Sequence, residues 1–194
     1  MSKIAILVDS MFEDCELRIP FNRLREAGHD VDIVGLHAGA EVVGKQGREC
    51  VWIEKSVASV SEHAYDALVV PGGYSPDQLR MNEDAVRFTR AMALANKPIG
   101  AVCHAPWLLI EADLADDRVV TSWPSLRTDL LNAGARWTDQ EVVVDGNIIT
   151  SRTPDDVGAF SDVFLRVLAD GVPDREIGER PSDEAGIEQS TMVH

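Results

Sequence analysis

Short apolar runs closed by glycine, proline or acidic residues alternate along this chain with stretches whose apolar side chains recur at helical spacing. Lys3 to Asp9 (K-I-A-I-L-V-D) is continuously apolar within its charged ends, the pattern of a strand buried on both faces in a parallel sheet. Phe21, Leu24 and Ala27 then predict a helix from Pro20, stopped by Gly28. Asp30 to Gly35 reads as a second strand, and residues 39–57 as hairpin-like β structure with Gly39, Gly44 and Gly47 as turn signals. Tyr65 to Val70 is a strand running into Pro71-Gly72-Gly73. Asn82 to Asn96 is a helix, with Asn82 as N-cap and Glu83 and Asp84 in its first turn. Pro98 to Val102 is a short strand that delivers Cys103, followed by a helix over Ala105–Ala112. A strand over Val119–Thr121, a helix over Ser125–Asn132, a hairpin around Asp145-Gly146 and a helix over Thr153–Ala169 complete the pattern.

Strands alternating with helices predict an α/β sandwich: a mostly parallel central sheet with helices on both faces. Residues 1–170 read as one domain. From Gly171 to His194 the apolar periodicity is lost and acid is in surplus, which predicts a polar extension, disordered or draped on a partner.

Composition limits the partners. The chain has 194 residues, 45% hydrophobic and 26% charged, an ordinary globular mixture for one generous domain. With 33 acidic against 18 basic residues the formal net charge is -15, which argues against nucleic acid and anionic membrane surfaces as partners. No apolar run approaches the ~20 residues that span a bilayer. Three widely spaced cysteines, Cys15, Cys50 and Cys103, form no C-x-x-C pair, so neither a disulfide framework nor a metal knuckle is expected. A strand begins at Lys3 without a leader pattern before it, so a cytoplasmic location with reduced thiols is the expectation.

In parallel α/β sheets ligands gather outside the carboxyl ends of the strands. Three segments fall there: Asp9 to Glu16, Pro71-Gly72-Gly73 and Cys103-His104. Cys103, on a sharp strand-to-helix turn, has the position of a nucleophile whose thiolate is exposed and stabilised by the next helix N-terminus. Gly100, three residues earlier, permits close packing near that turn. A cysteine there also serves as a small packed hydrophobe. His104 is its candidate base, although neighbours on a helix do not face one another. The N–H groups of Gly72, Gly73 and His104 are candidate oxyanion donors, or a plain turn. Glu16, if it reaches the sulfur, must be protonated, because a carboxylate beside a thiolate raises both pKa values. Otherwise it is a solvated acid at a helix start. Cys50 reads as a packing residue and Cys15 as a bystander.

Taken together, F-E-D-C-E-L-R-I-P, V-V-P-G-G-Y-S-P-D-Q-L-R and A-V-C-H-A-P resemble the ThiJ/PfpI superfamily, and within it the intracellular-protease and general-stress-protein branch. T-S-W-P-S-L-R-T-D-L-L-N-A-G-A-R-W and V-V-V-D-G-N-I-I-T-S-R-T-P-D-D extend the resemblance over nearly all of residues 3–169. It implies a flavodoxin-like fold related to class I glutamine amidotransferases. It implies Cys103 as nucleophile, His104 beside it, Glu16 as the acid on the sulfur and Gly73 as an oxyanion amide, with no metal or organic cofactor. Members form dimers, and the protease-like branch hexamers. In that branch an acid after the Gly-Gly loop completes a Cys-His-acid triad across a subunit boundary. Asp77 stands at that position, one methylene shorter than the branch's Glu. Trp107 and Trp123 are candidates for a narrowed mouth, or for a packed subunit interface. The function implied is a cysteine-dependent hydrolase or deglycase of small carbonyl compounds in stress defence. The alternatives are a cysteine peptidase with an inter-subunit Cys-His-Asp triad, and a redox sensor or chaperone in which Cys103 oxidises to a sulfinate.

Overall fold

The structure, a computed structural model, describes residues 1–175. Its first half runs β1 (Lys3–Leu7), α1 (Asp14–Glu26), β2 (Asp30–Gly35), β3 (Glu41–Val43), β4 (Cys50–Trp52), β5 (Lys55–Ser56) and β6 (Ala67–Val70). Then come α2 (Ser75–Arg80), α3 (Glu83–Leu94), β7 (Ile99–Val102), α4 (Pro106–Glu111), β8 (Val119–Val120) and α5 (Arg127–Asn132). β9 (Arg136–Trp137), β10 (Val142–Asp145), β11 (Ile148–Ser151) and α6 (Val157–Asp170) close the order.

A seven-stranded sheet in the order β10-β11-β7-β6-β1-β2-β5 forms the centre. All its pairs are parallel except β10 with β11, a hairpin as expected, whose two-residue turn is Gly146-Asn147 because Asp145 pairs with Ile148. The two-residue period of the strands divides the core. Ile4, Ile6 and Val8 point to one face, where α1 and α6 pack with Leu17, Phe160 and Phe164. Ala5 and Leu7 point to the other, beneath Leu79, Phe88, Met92 and Leu108 of α2, α3 and α4. Burial on both faces is why these strands read as unbroken apolar runs. The fold class is the one expected, an α/β sandwich.

Local departures have local causes. α1 begins at Asp14, so Pro20 lies inside it and not at its start. The proline forfeits one bond, to the Glu16 carbonyl four residues back, and buries its ring. α2 was not signalled by periodicity, because its six residues are too few; Pro76 in its first turn is the one local cue. The predicted strand at 119–121 is real for Val119–Val120, but it pairs in parallel with β9 in a separate ribbon. The 39–57 region gives the separate β3–β4 hairpin and an edge strand, β5. α6 ends at Gly171 with φ +92, and Arg175 turns back to bond Asp145 at 2.8 Å. The rest of the expected polar extension, 176–194, lies outside the described residues. Among the described residues no helix is long and apolar enough to cross a membrane.

Gly100 sets how closely α6 approaches β7. A Cβ there would lie 2.5 Å from Phe160 Cζ and 3.1 Å from Phe164 Cδ2. Gly100→Ala is expected to lower the unfolding free energy by about 1–3 kcal/mol through overpacking. Urea titration measures this; a change within error would mean that the Phe160 ring yields freely.

Candidate active site

The strand order reverses between β1 and β6, and the loops after β1, β6 and β7 meet at that crevice. Cys103 leaves β7 with φ +62, in the left-handed region that non-glycine residues adopt at a cost of about 1–3 kcal/mol. The surroundings hold it there. Its N–H donates to the Ser151 carbonyl at 2.9 Å, and its carbonyl accepts from the Trp123 N–H at 2.9 Å. α4 starts only at Pro106, so a turn separates Cys103 from the helix. That turn frees His104 from helical geometry and places its Nδ1 3.2 Å from Cys103 Sγ.

The loop after β6 supplies the amides. Gly73 has φ +77, and a Cβ on it would lie 2.5 Å from both Glu13 N and Met11 O, so only glycine fits. The Gly73 and His104 amides act on the Cys103 sulfur in the direction that favours its thiolate. Gly72 is different: its N–H donates to Glu16 Oε2 at 2.8 Å and is not available to an oxyanion. A Cβ on Gly72 would lie 2.6 Å from Glu16 Oε2 and 2.7 Å from Cys103 Cβ, so the carboxyl and the cysteine meet across this glycine.

Glu16 is fully buried on α1. Its Oε1 has no hydrogen-bond partner among the described residues. Burial pushes its pKa up to about 8, which favours the neutral acid at pH 7. Cys103 departs from the exposed thiolate expected of it. The sulfur-bearing residue is 3% exposed, not displayed on the turn. Burial first, then Glu16, push the thiol above its ordinary value, against the pull of the Gly73 and His104 amides. Burial therefore favours the thiol form of Cys103. His104 is half-buried, and burial, aided by Lys45, lowers its pKa, so its imidazole is neutral and able to accept the thiol proton.

Cys103 and His104 open onto a cavity of about 560 Å³, lined also by Lys45, Tyr74, Trp123 and Asp155. Trp123 stacks near His104 at 6.0 Å between ring centroids and lines the cavity. Trp107 does not line the cavity. It backs His104 at 5.3 Å, is fixed by its Nε1 bond to Asp129 at 2.9 Å, and carries Arg80 over its other surroundings at 5.7 Å. Asp77 is exposed on α2, and among the described residues no carboxylate bonds the His104 ring. Cys50 is not a packing residue: it is exposed on the β3–β4 hairpin and donates to Glu41 at 2.8 Å. Cys15 is half-buried and pushed up to about 11, mainly by burial and then by Glu16, which makes it a poor nucleophile. Among the described residues no group of three or more His, Cys, Asp or Glu converges to hold a metal ion. Sequence reasoning missed Lys45, Tyr74 and Asp155, which reach the cavity only through the folding of distant loops.

A buried thiol on a left-handed elbow, with an imidazole at its side and a neutral acid behind it, stands at the switch point of a doubly wound sheet. Residues 2–167 match the DJ-1/PfpI family, and the chain belongs to that family. It is 46% identical to protein/nucleic acid deglycase 2 of Escherichia coli over 167 residues, 86% of this chain and 97% of that protein. It is 44% identical to general stress protein 18 of Bacillus subtilis, again over 86% of this chain and 97% of the other. Its fold is similar to that of a two-domain protein from Anabaena variabilis with DJ-1/ThiJ/PfpI-like and ferritin-like domains. The TM-score is 0.86 at 36% identity, covering 93% of this chain and 52% of that one.

The raised pKa of Glu16 has a consequence for stability. The folded state holds this proton more tightly than the unfolded chain, where a carboxyl titrates near ~4.3. The favourable contribution is complete below that value and is lost as pH rises towards about 8. Glu16→Gln should therefore stabilise the fold by on the order of 3 kcal/mol at pH 7 and under about 1 kcal/mol at pH 5. Denaturant midpoints at the two pH values read this; a gain that shrinks with rising pH contradicts a neutral buried acid.

Proposed function

We propose that the protein is a cysteine-dependent enzyme of the hydrolase type that acts on small carbonyl compounds or their amine adducts, with Cys103 as nucleophile. The observation that carries the reading is the 3.2 Å pairing of Cys103 Sγ with the neutral His104 imidazole at the floor of a modest cavity. Its similarity to a deglycase and a general stress protein supports the same reading.

The reaction begins from the resting thiol. His104 takes the proton as sulfur adds to an aldehyde carbon, and the carbonyl oxygen is met by the Gly73 and His104 amides and receives a proton. With an amine adduct, sulfur displaces the amine from the carbinol carbon, and the same hemithioacetal forms. His104 then moves a proton from the sulfur-bearing carbon to the neighbouring carbonyl carbon. The first carbon is oxidised to a thioester and the second reduced to an alcohol, so no external electron carrier is required. Water cleaves the carbon–sulfur bond, releases a 2-hydroxy acid and restores the thiol. Glu16, kept neutral, adds no repulsion as negative charge gathers on sulfur.

A second reading, an intracellular peptidase, rests on the exposed Asp77. With no carboxylate on its ring among the described residues, His104 would take Asp77 of a neighbouring subunit in a dimer or hexamer. A cytoplasmic location fits both readings.

Wild-type protein should convert methylglyoxal to lactate, and Cys103→Ser should lose at least a hundredfold in kcat/KM. Equal consumption by both would remove the first reading. Activity should decline above about pH 8 as Glu16 ionises, and Glu16→Gln should lack that decline. For the second reading, casein cleavage should depend on Asp77 and on an assembly visible by sedimentation; a monomer that cleaves casein contradicts it.

A further inference from the structure

Lys45 reaches the cavity from an element that carries no other residue of the site, and the fold fixes it there with care. The turn between β3 and β4 rests on Asp14, a buried side chain. The N–H groups of Gln46, Arg48 and Glu49 each donate to the Asp14 carboxylate at 2.9 Å. Burial opposes ionisation of Asp14, but these amides outweigh it and hold the carboxyl below its usual range. A Cβ on Gly44 would fall 2.4 Å from Asp14 Oδ1, so the turn sits flush on the carboxylate. Two further bonds tie it to the loop after β1: Lys45 N–H to the Phe12 carbonyl and Met11 N–H to the Val43 carbonyl, both 2.7 Å. The same loop holds Gly73, through Tyr74 N–H to the Met11 carbonyl at 2.8 Å.

So placed, Lys45 lines the cavity with its side chain 35% exposed, and its ammonium pairs with the buried Glu13. The other Glu13 oxygen takes the Gln46 side-chain amide at 2.9 Å. An ammonium has three donors, so this pairing leaves Lys45 capacity for a ligand. Among the described residues it is the only lysine or arginine lining this cavity. The remaining charged or titratable groups lining it are Tyr74, Cys103, His104 with its imidazole neutral, and Asp155, with the buried Glu16 behind Cys103. Asp155 follows β11 and Lys45 docks on the loop after β1, and in the order β11-β7-β6-β1 the two flank Cys103 from opposite sides. An anion entering the cavity is thus repelled from the Asp155 side and drawn to the Lys45 side.

We propose that Lys45 is a specificity-determining residue that binds the carboxylate of small 2-hydroxy or 2-oxo acids beside Cys103, and that Asp14 is the positioning residue that aims it. The inference rests on the proposed function in that such an acid is the product of that reaction, but the binding itself requires no turnover. It gives an anion one local cationic donor in a chain of net charge -15.

Calorimetric titration with sodium glycolate tests it, on wild type, Lys45→Arg, Lys45→Met and Asp14→Asn. Wild type and Lys45→Arg should bind within about threefold of each other, Lys45→Met at least tenfold more weakly, and Asp14→Asn between them. A paired readout is the ratio of Cys103 alkylation rates by iodoacetate and iodoacetamide. It cancels the intrinsic reactivity of the thiol, and it should fall about tenfold in Lys45→Met and stay high in Lys45→Arg. Glycolate that does not bind wild type, or binds wild type and Lys45→Met equally, overturns the proposal even if methylglyoxal is consumed. Lys45-dependent glycolate binding in a protein that leaves methylglyoxal untouched sustains it and overturns the proposed function instead.

Discussion

Two acids buried against each other, the Glu16 carboxyl and the Cys103 thiol, set the conditions for everything else at this site. Both are pushed up by burial; Glu16 further disfavours ionisation of Cys103, whereas a hydrogen bond from the Cys103 thiol eases ionisation of Glu16. Gly72 lets them meet, because any side chain there would occupy the space between them. The outcome is an environment that favours the uncharged form of both groups at neutral pH, with the neutral His104 imidazole beside the sulfur. Thiol is also the less reactive and less oxidisable form of a cysteine.

The scaffold serves that pair by joining loops rather than by rigid elements alone. The loop after β1 is bonded to the β3–β4 turn on one side and to Gly72-Gly73 on the other. Lys45, Gly73 and Glu16 are therefore set by one connected backbone assembly. The elbow at Cys103 is held separately, by Ser151 of β11 and by Trp123. Backbone hydrogen bonds at both sites leave the strained φ of Cys103 no easy relaxation. The cavity forms where these two assemblies face one another.

Most of the sheet was legible because its strands are buried on both faces, and a run such as I-A-I-L-V has few other uses at that length. Cys103, His104, Glu16 and Gly73 were legible because each follows a strand at the end where doubly wound sheets bind ligands. α2, and the β8–β9 ribbon as a separate unit, were not, since six-residue helices and two-residue strands lack a measurable period. Trp107 and Trp123 were indistinguishable as sequence; only packing sends Trp123 to the cavity and Trp107 behind His104.

The sequence by itself determined the order of the elements, the elbow that carries the cysteine and the identity of the groups that meet there, because these follow from local periodicity and from position along a strand. The tertiary structure decided the charge state of Cys103, the commitment of the Gly72 amide to Glu16 and the arrival of Lys45 at the cavity. Each of those depends on burial and on contacts between segments about 30 to 90 residues apart. A linear pattern records which side chains are available; only the closed fold fixes how much water remains around them, and that is what sets their protonation and their chemistry.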